Sequence, residues 1–378
     1  MNPIFVCKFA RPVLTLLTVL VLLLCSGSAW AISAPVSDSI TEIETEMIRK
    51  ENEVITLSAA EALNGEEWEK LRRLAQPFEL VLNSISAVPD GALEYCENLV
   101  ALTAPATTHI GKRAFGSCPN LRSVSLPKIE SIGDEAFASC PSLTGIELPE
   151  TLTVLGNAPF AKCTGLGSIS VHAGNRTFKS VDDVLYNADE TMLIFYPSGK
   201  SGASFESSTV KVVGTAAFFG NAFLRDISLP EAVAIGNDAF KASTLLKVVF
   251  LPKAETVGDE AFAFCTGLTS PLLPEAKVIG REAFASCVEL KTELSLPKAE
   301  VIGSGAFSLC IHLREISLPE AKILGDRAFA NCFKLILLSL PEKAPLLEGP
   351  NVFENVPESL SIRTPAGYTT IPQRIKTP

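Results

Sequence analysis

The sequence predicts a repeat fold: a solenoid of short stacked coils, each contributing one parallel strand. Three observations carry that reading. A phrase, Ile110-Gly111-Lys112-Arg113-Ala114-Phe115-Gly116-Ser117-Cys118, returns as Ile132 to Cys140 and again around Phe160, Phe218, Phe240, Phe262, Phe284, Phe307 and Phe329. Apart from the long interval between Phe160 and Phe218, these phenylalanines are 22 or 23 residues apart. A Leu-Pro pair follows at a matching distance, as in Leu126-Pro127, Leu148-Pro149, Leu229-Pro230, Leu251-Pro252 and onward to Leu340-Pro341. A fixed short period means that no unit buries its apolar side alone, and that stacked neighbours build one continuous core.

The elements follow in chain order. Residues 1–31 have the anatomy of a secretory signal peptide: Lys8 and Arg11 precede an apolar run from Val13 to Leu24, and Ala29-Trp30-Ala31 is a small-x-small cleavage site. The alternative is a membrane anchor, but the run is short for a span and ends in Cys25-Ser26-Gly27-Ser28. A lipidated Cys25 is the lesser option, because Leu24 stands where such sites carry a small residue. No later apolar run is long enough to span a bilayer. The expectation is an exported protein, at the cell surface or extracellular, with a periplasmic or lipid-anchored form left open.

Residues 32–84 are read as a polar tether followed by an N-terminal cap. Val54 to Leu57 predicts a strand, Glu66 to Ala75 an amphipathic helix, and Phe78 to Leu82 a second strand. Residues 85–345 form the solenoid. In residues 115–137, Leu121-x-x-Val124-x-Leu126 alternates so that Val124 and Leu126 point inward and Ser125 outward. Pro127 ends the strand by removing a backbone donor. The chain returns along Ile132-Gly133-x-x-Ala136-Phe137, read as a short helical or 3-10 turn, with Gly133 supplying a special backbone conformation or a close approach. The post-strand corners Pro252-Lys253-Ala254-Glu255, Pro274-Glu275-Ala276-Lys277, Pro297-Lys298-Ala299-Glu300 and Pro319-Glu320-Ala321-Lys322 set opposite charges side by side on adjacent coils. That pattern reads as register pinning and solubility rather than as a charged binding edge.

The interval between Phe160 and Phe218 holds an insertion at about residues 172–200. Asp183 to Tyr186 and Thr191 to Tyr196 flank Asn187-Ala188-Asp189-Glu190 and predict a β-hairpin. Its aromatics, Phe178, Tyr186, Phe195 and Tyr196, either protrude as a recognition element or pack into the adjoining coils; packing is preferred. Residues 346–378 lose the period, with Val352-Phe353 a degenerate last repeat before a C-terminal cap or tail.

Composition narrows the function. The formal net charge is −10, so nucleic acid and anionic lipid surfaces are repelled on average. Eight of the cysteines, Cys96, Cys118, Cys140, Cys163, Cys265, Cys287, Cys310 and Cys332, sit three residues after a repeat Phe or its Leu93 equivalent, a slot that Asn221 and Ser243 fill elsewhere. A position that accepts Cys, Asn or Ser reads as a small buried ladder, not as disulfides. No Cys-x-x-Cys or Cys/His cluster suggests zinc. His109, His172 and His312 fall at different places in the repeat without a nucleophile and carboxylate beside them, and there is no P-loop or dinucleotide fingerprint. No catalytic residue and no cofactor is predicted.

The pattern Ile-Gly-x-x-Ala-Phe-x-x-Cys-x-x-Leu-x-x-Val-x-Leu-Pro, as in Ile110 to Pro127, resembles the BspA-like, or treponemal-type, leucine-rich repeat family. The resemblance covers roughly residues 85–345 and includes the Val184-Leu185-Tyr186-Asn187 segment leading to Tyr196-Pro197. It implies a right-handed leucine-rich-repeat solenoid of mixed α/β class, with one short parallel strand per repeat and short helical or 3-10 convex segments. It further implies a non-enzymatic surface or secreted protein of a host-associated organism that recognises a protein or glycan on host or bacterial surfaces. Appended adhesion modules and a wall-anchoring tail, which larger members carry, are not apparent here. A structural role in an envelope or biofilm layer is the runner-up.

The concave face is the candidate contact surface. Its central outward slot is mostly serine, from Ser125 to Ser339, with Phe250 and Leu272 as an apolar interruption and Val248 nearby. The irregular repeat around Pro271 leaves open a slipped register that buries Leu272. The slot after the first strand Leu carries Arg225, Lys247, Lys291 and Arg314, a broken basic stripe in an acidic protein. The candidate binding residues are therefore Arg225, Lys247, Phe250, Leu272, Lys291 and Arg314, engaging an acidic protein or glycan.

Overall fold

A computed structural model of the chain describes residues 30–34, 53–57, 63–290 and 293–370. The predicted leader up to residue 29, the tether over residues 35–50, the tail after residue 370 and Lys291 lie outside the described residues. The coils stack through two rows of parallel strands on opposite sides of a shared core. The first row carries the Leu-x-x-Val-x-Leu segments, as in Ser123–Ser125, Asp226–Ser228, Val248–Phe250 and Glu315–Ser317. The second row is cut from the start of the repeated phrase, as in Ser131–Ile132, Ala234–Ile235, Val278–Ile279 and Val301–Ile302. Equivalent residues pair one coil apart: Asp226 with Val248, Val248 with Ser270, Val278 with Val301.

The second row is where the structure differs from the sequence reading. The return segment is not helical: its aliphatic pair is extended and hydrogen-bonded to its neighbours, so each coil has two strands. The run that follows, from Gly133 to Phe137, is a chain of turns. Left-handed residues explain why. Glu135 and Ser139 have φ 52° and 60°, and Glu260 and Phe264 have 55° and 60° at the equivalent places two halves of the stack apart. A helix cannot pass through residues of that hand.

Such turns are costly for non-glycine residues, and hydrogen bonds between coils hold them. The N–H groups of Arg113, Phe115 and Ser117 donate to the carbonyls of Asp134, Ala136 and Ala138 at 2.9, 2.8 and 2.7 Å. Those of Glu135, Phe137 and Ser139 repeat the pattern onto the next coil. The turns thus form a third hydrogen-bonded ladder beside the two strand rows. Gly133 serves close approach: a Cβ there would lie 2.6 Å from the backbone nitrogen of Lys112 in the preceding coil.

The core is a column of phenyl rings. Phe240 and Phe262 stack with centroids 4.9 Å apart and planes 3° from parallel, and Phe284 and Phe307 with 5.3 Å and 2°. Beside this column runs the cysteine ladder. All eight described cysteines are free and buried. The thiols of Cys265, Cys287 and Cys332 donate to the carbonyls of Phe240, Phe262 and Phe307 at 3.0, 3.1 and 3.1 Å. Ser243 makes the same bond to Phe218 at 2.9 Å, and Asn221 caps its own turn by accepting from Phe223 and Leu224. One slot therefore tolerates Cys, Ser and Asn because its task is to satisfy a buried backbone group. Burial pushes the thiols of Cys287 and Cys310 well up and that of Cys332 up to about 12.

On the corners, each lysine reaches back one coil. Lys253 binds Glu231 at 2.7 Å, Lys277 binds Glu255 at 2.9 Å, Lys298 binds Glu275 at 2.5 Å and Lys322 binds Glu300 at 2.6 Å. These pairs are solvent-exposed, so they fix register more than they add stability.

At the N-terminal end, helix Gly65–Arg72 starts at a capping box in which Asn64 and Glu67 satisfy each other's backbone N–H groups, and it buries Trp68 and Leu71. The insertion is a three-stranded antiparallel unit, Phe178–Val181, Val184–Asn187 and Met192–Phe195, one strand more than the hairpin read from sequence. Its aromatics pack inward. Phe195 meets Phe160 at 5.9 Å and Tyr196 stacks on Phe218 at 5.1 Å, which splices the two halves of the phenyl column. Phe353 extends the column from Phe329 at 5.8 Å, and Gly367–Thr370 pairs antiparallel with Ser361–Thr364 at the C-terminal end.

Candidate functional site

Strands of the first row alternate, so that the middle residue is buried and its neighbours face out. In Val248–Phe250, Val249 is buried while Val248 and Phe250 stand outside. In the next coil Pro271 is buried and Leu272 stands outside. Phe250 pairs with Leu272 and Val248 with Ser270, so the register does not slip at the irregular repeat. Val248, Phe250 and Leu272 are 43%, 40% and 47% exposed. They form an apolar island in a row whose other members include Ser228, Ser295 and Ser317.

The island lies at an interruption. Strands Ser204–Glu206, Asp226–Ser228, Val248–Phe250 and Ser270–Leu272 form one four-stranded sheet, and the next sheet of the row begins at Glu293–Ser295. Pro271 belongs on such an edge, since it brings no N–H to a ladder. Arg225 and Lys247 are exposed on neighbouring coils of the four-stranded sheet, with the Lys247 N–H donating to the Arg225 carbonyl at 2.7 Å. Arg314 is also exposed but flanks the next sheet. The structure thus brings together Arg225, Lys247, Phe250 and Leu272 and sets Arg314 apart.

Acidic residues that the sequence reading passed over share this face. Asp226 pairs with Val248, and Glu293 pairs with Glu315. The outward row also has a member that the period does not reveal. Ser204–Glu206 pairs with Asp226–Ser228 and places Glu206 beside Ser228. That coil lacks the Leu-Pro ending; the alternation of Phe205 between two polar residues was its available sign.

The histidines do not converge. His109 lies 2.7 Å from the Thr108 hydroxyl, His172 accepts the Gly174 N–H, and His312 faces Glu289 at 3.8 Å. Among the described residues no group of three His, Cys, Asp or Glu side chains is arranged to hold a metal ion, and no helix is long and apolar enough to cross a membrane.

The family profile for the BspA type leucine-rich repeat region matches residues 82–188, 194–269 and 277–375, in six copies. The chain belongs to the BspA-type leucine-rich repeat family. No curated protein matches it. Solved structures share its fold. A leucine-rich repeat protein from Eubacterium ventriosum is 21% identical with a TM-score of 0.65, over 90% of this chain and 95% of that one. The pneumococcal vaccine antigen PcpA is 18% identical with a TM-score of 0.60, over 90% of each chain. A leucine-rich cell surface protein from Faecalibacterium prausnitzii is 20% identical with a TM-score of 0.53, over 83% of each. As a BspA-type repeat, the chain is a scaffold of stacked leucine-rich coils that offers extended surfaces for binding.

Proposed function

We propose that this protein is an exported, non-enzymatic binding scaffold of adhesin type, which recognises a protein or glycan on a host or bacterial surface through the face predicted as concave. One observation carries the reading. Phe250 and Leu272 are paired in register and exposed on an otherwise serine-rich row, with Val248 beside them and Arg225 and Lys247 at their flank. An apolar centre with a polar, charged margin is the composition of a protein contact surface. The similarity to a pneumococcal antigen and to a cell surface protein supports exposure outside the cell. The signal-peptide anatomy of residues 1–31 points the same way.

The test is a ligand screen with the purified chain against host matrix and bacterial surface components, followed by Phe250→Ser with Leu272→Ser, and by charge reversal at Arg225, Lys247 and Lys291. Saturable binding that weakens at least tenfold in the apolar variant, about 1.4 kcal/mol, supports the reading. Binding that survives both sets of changes rejects this face. Failure to bind any component, with the protein held in an envelope or matrix fraction, favours the structural role.

A further inference from the structure

The insertion leaves a cleft of about 510 Å³ where its first turn, Asp182-Asp183, faces strand Ser204–Glu206. Four carboxylates line it, Asp182, Asp183, Glu190 and Glu206, against one lining cation, Lys200. Lys200 is held by Asp183 at 3.6 Å, and Glu190 is held by Lys179. Asp182 and Glu206 make no ion pair among the described residues.

Two tyrosines close the base of the cleft. Tyr196 is 2% and Tyr186 6% exposed. Their rings belong to the core: Tyr196 stacks on Phe218 and meets Phe205 edge-on at 5.2 Å. Their hydroxyls do not. Both residues line the cleft, and neither hydroxyl is hydrogen-bonded to another described residue. The Tyr196 hydroxyl is directed at Gly202, where an added Cβ would lie 3.7 Å away. Gly202 adopts φ 149°, a conformation that side chains disfavour, so this wall stays bare. The two hydroxyls open onto the cleft without a protein partner, so they stay available as donors and acceptors to whatever enters.

We propose that this cleft is a binding site for a basic side chain, a guanidinium or ammonium group presented by a protein partner. The charge balance calls for a cation. A metal ion does not suit it, because no three carboxylates converge on one point. A guanidinium suits spread acceptors, since its donors fan out in a plane and reach several carboxylates and hydroxyls together. Stacking of a sugar is disfavoured, because the Tyr196 ring is already packed against Phe218 and Phe205 and Tyr186 is 6% exposed. The site adjoins the outward row through Glu206, two coils from Phe250, but its chemistry does not depend on the apolar island.

The test is isothermal titration of the full chain with a tetra-arginine peptide and with the matching tetra-citrulline peptide, which keeps shape and loses charge. Saturable arginine binding at one site, absent for citrulline, is the expected result. Asp182→Asn with Glu206→Gln should weaken it at least about tenfold, and Tyr186→Phe with Tyr196→Phe should weaken it measurably while the melting temperature holds. Phe250→Ser with Leu272→Ser should leave it unchanged, which separates this site from the outward-face reading. Equal binding by the Asp182→Asn, Glu206→Gln variant would show attraction to the acidic surface in general and overturn the proposal, as would no saturable binding.

Discussion

At the scale of single residues, the same side chain means different things inside the stack and on its outward row. Phe262 lies fully buried in the phenyl column and Phe250 stands outside it, though both are aromatic residues in consecutive coils. Phe262→Ala should cost about 3–5 kcal/mol in chemical unfolding, because the neighbouring rings cannot close the cavity. Phe250→Ala should change stability by less than about 0.5 kcal/mol and act on binding instead. The cysteines behave as one class. Each of the eight is buried and free, and burial pushes the thiols of Cys265, Cys287, Cys310 and Cys332 up. A thiol reagent should therefore leave these eight unmodified in the native chain and label all of them in denaturant. Rapid labelling of any of the eight in the native state would contradict their place in the core. This ladder was legible in the sequence, because Asn221 and Ser243 interrupt it in a way that disulfides do not allow. The left-handed turns were not. Glu135, Phe264 and Leu309 carry no glycine-like mark of their conformation, which is imposed by hydrogen bonds to the next coil.

At the scale of elements, the three-stranded insertion is a joint. Leu185 and Phe195 pack into the N-terminal core, while Val184, Tyr186, Leu193 and Tyr196 pack into the C-terminal core. Replacing Phe195 and Tyr196 together by alanine should uncouple the halves, and calorimetry should then resolve two melting transitions where the parent shows one. A single sharp transition at a lower temperature would place the coupling elsewhere. The joint also carries a pH signature. Burial, with Glu190, Asp182 and Tyr196 nearby, pushes Tyr186 up to about 12 from an ordinary 10.0. The folded chain then keeps a proton that the unfolded chain gives up first. Its contribution is constant below pH 10, and stability should fall as pH rises from about 10 to about 12; Tyr186→Phe should remove that part of the decline. Two strands of this unit were legible as alternating apolar runs. Phe178–Val181 was not, because its turn to the next strand is Asp182-Asp183, both at positive φ without the glycine that usually marks such a turn. The cleft was hidden for the same reason. Glu206 and Asp182 are far apart in the chain, and only the fold of the insertion brings them to one wall.

At the scale of the whole molecule, the account rests on three ladders that link successive coils: two rows of strands, each divided into separate sheets, and one of turns. The phenylalanine period revealed the stack, and the alternation around Leu121-x-x-Val124-x-Leu126 revealed the first row. The second row was hidden in two-residue segments such as Val278–Ile279, too short to show alternation. The turn ladder is the claim with most at stake, because it makes residues outside any strand part of the structural spine. The N–H groups of Phe218, Phe240, Phe262 and Phe284 each donate at 2.7 Å to the carbonyl of Ala239, Ala261, Ala283 and Ala306 in the next coil. Native-state hydrogen exchange reads these amides directly. They should exchange as slowly as the strand amides of Val249 and Ile316, at the rate set by unfolding of the stack. Exchange at the speed of exposed loops, while those strand amides stay protected, would contradict the account.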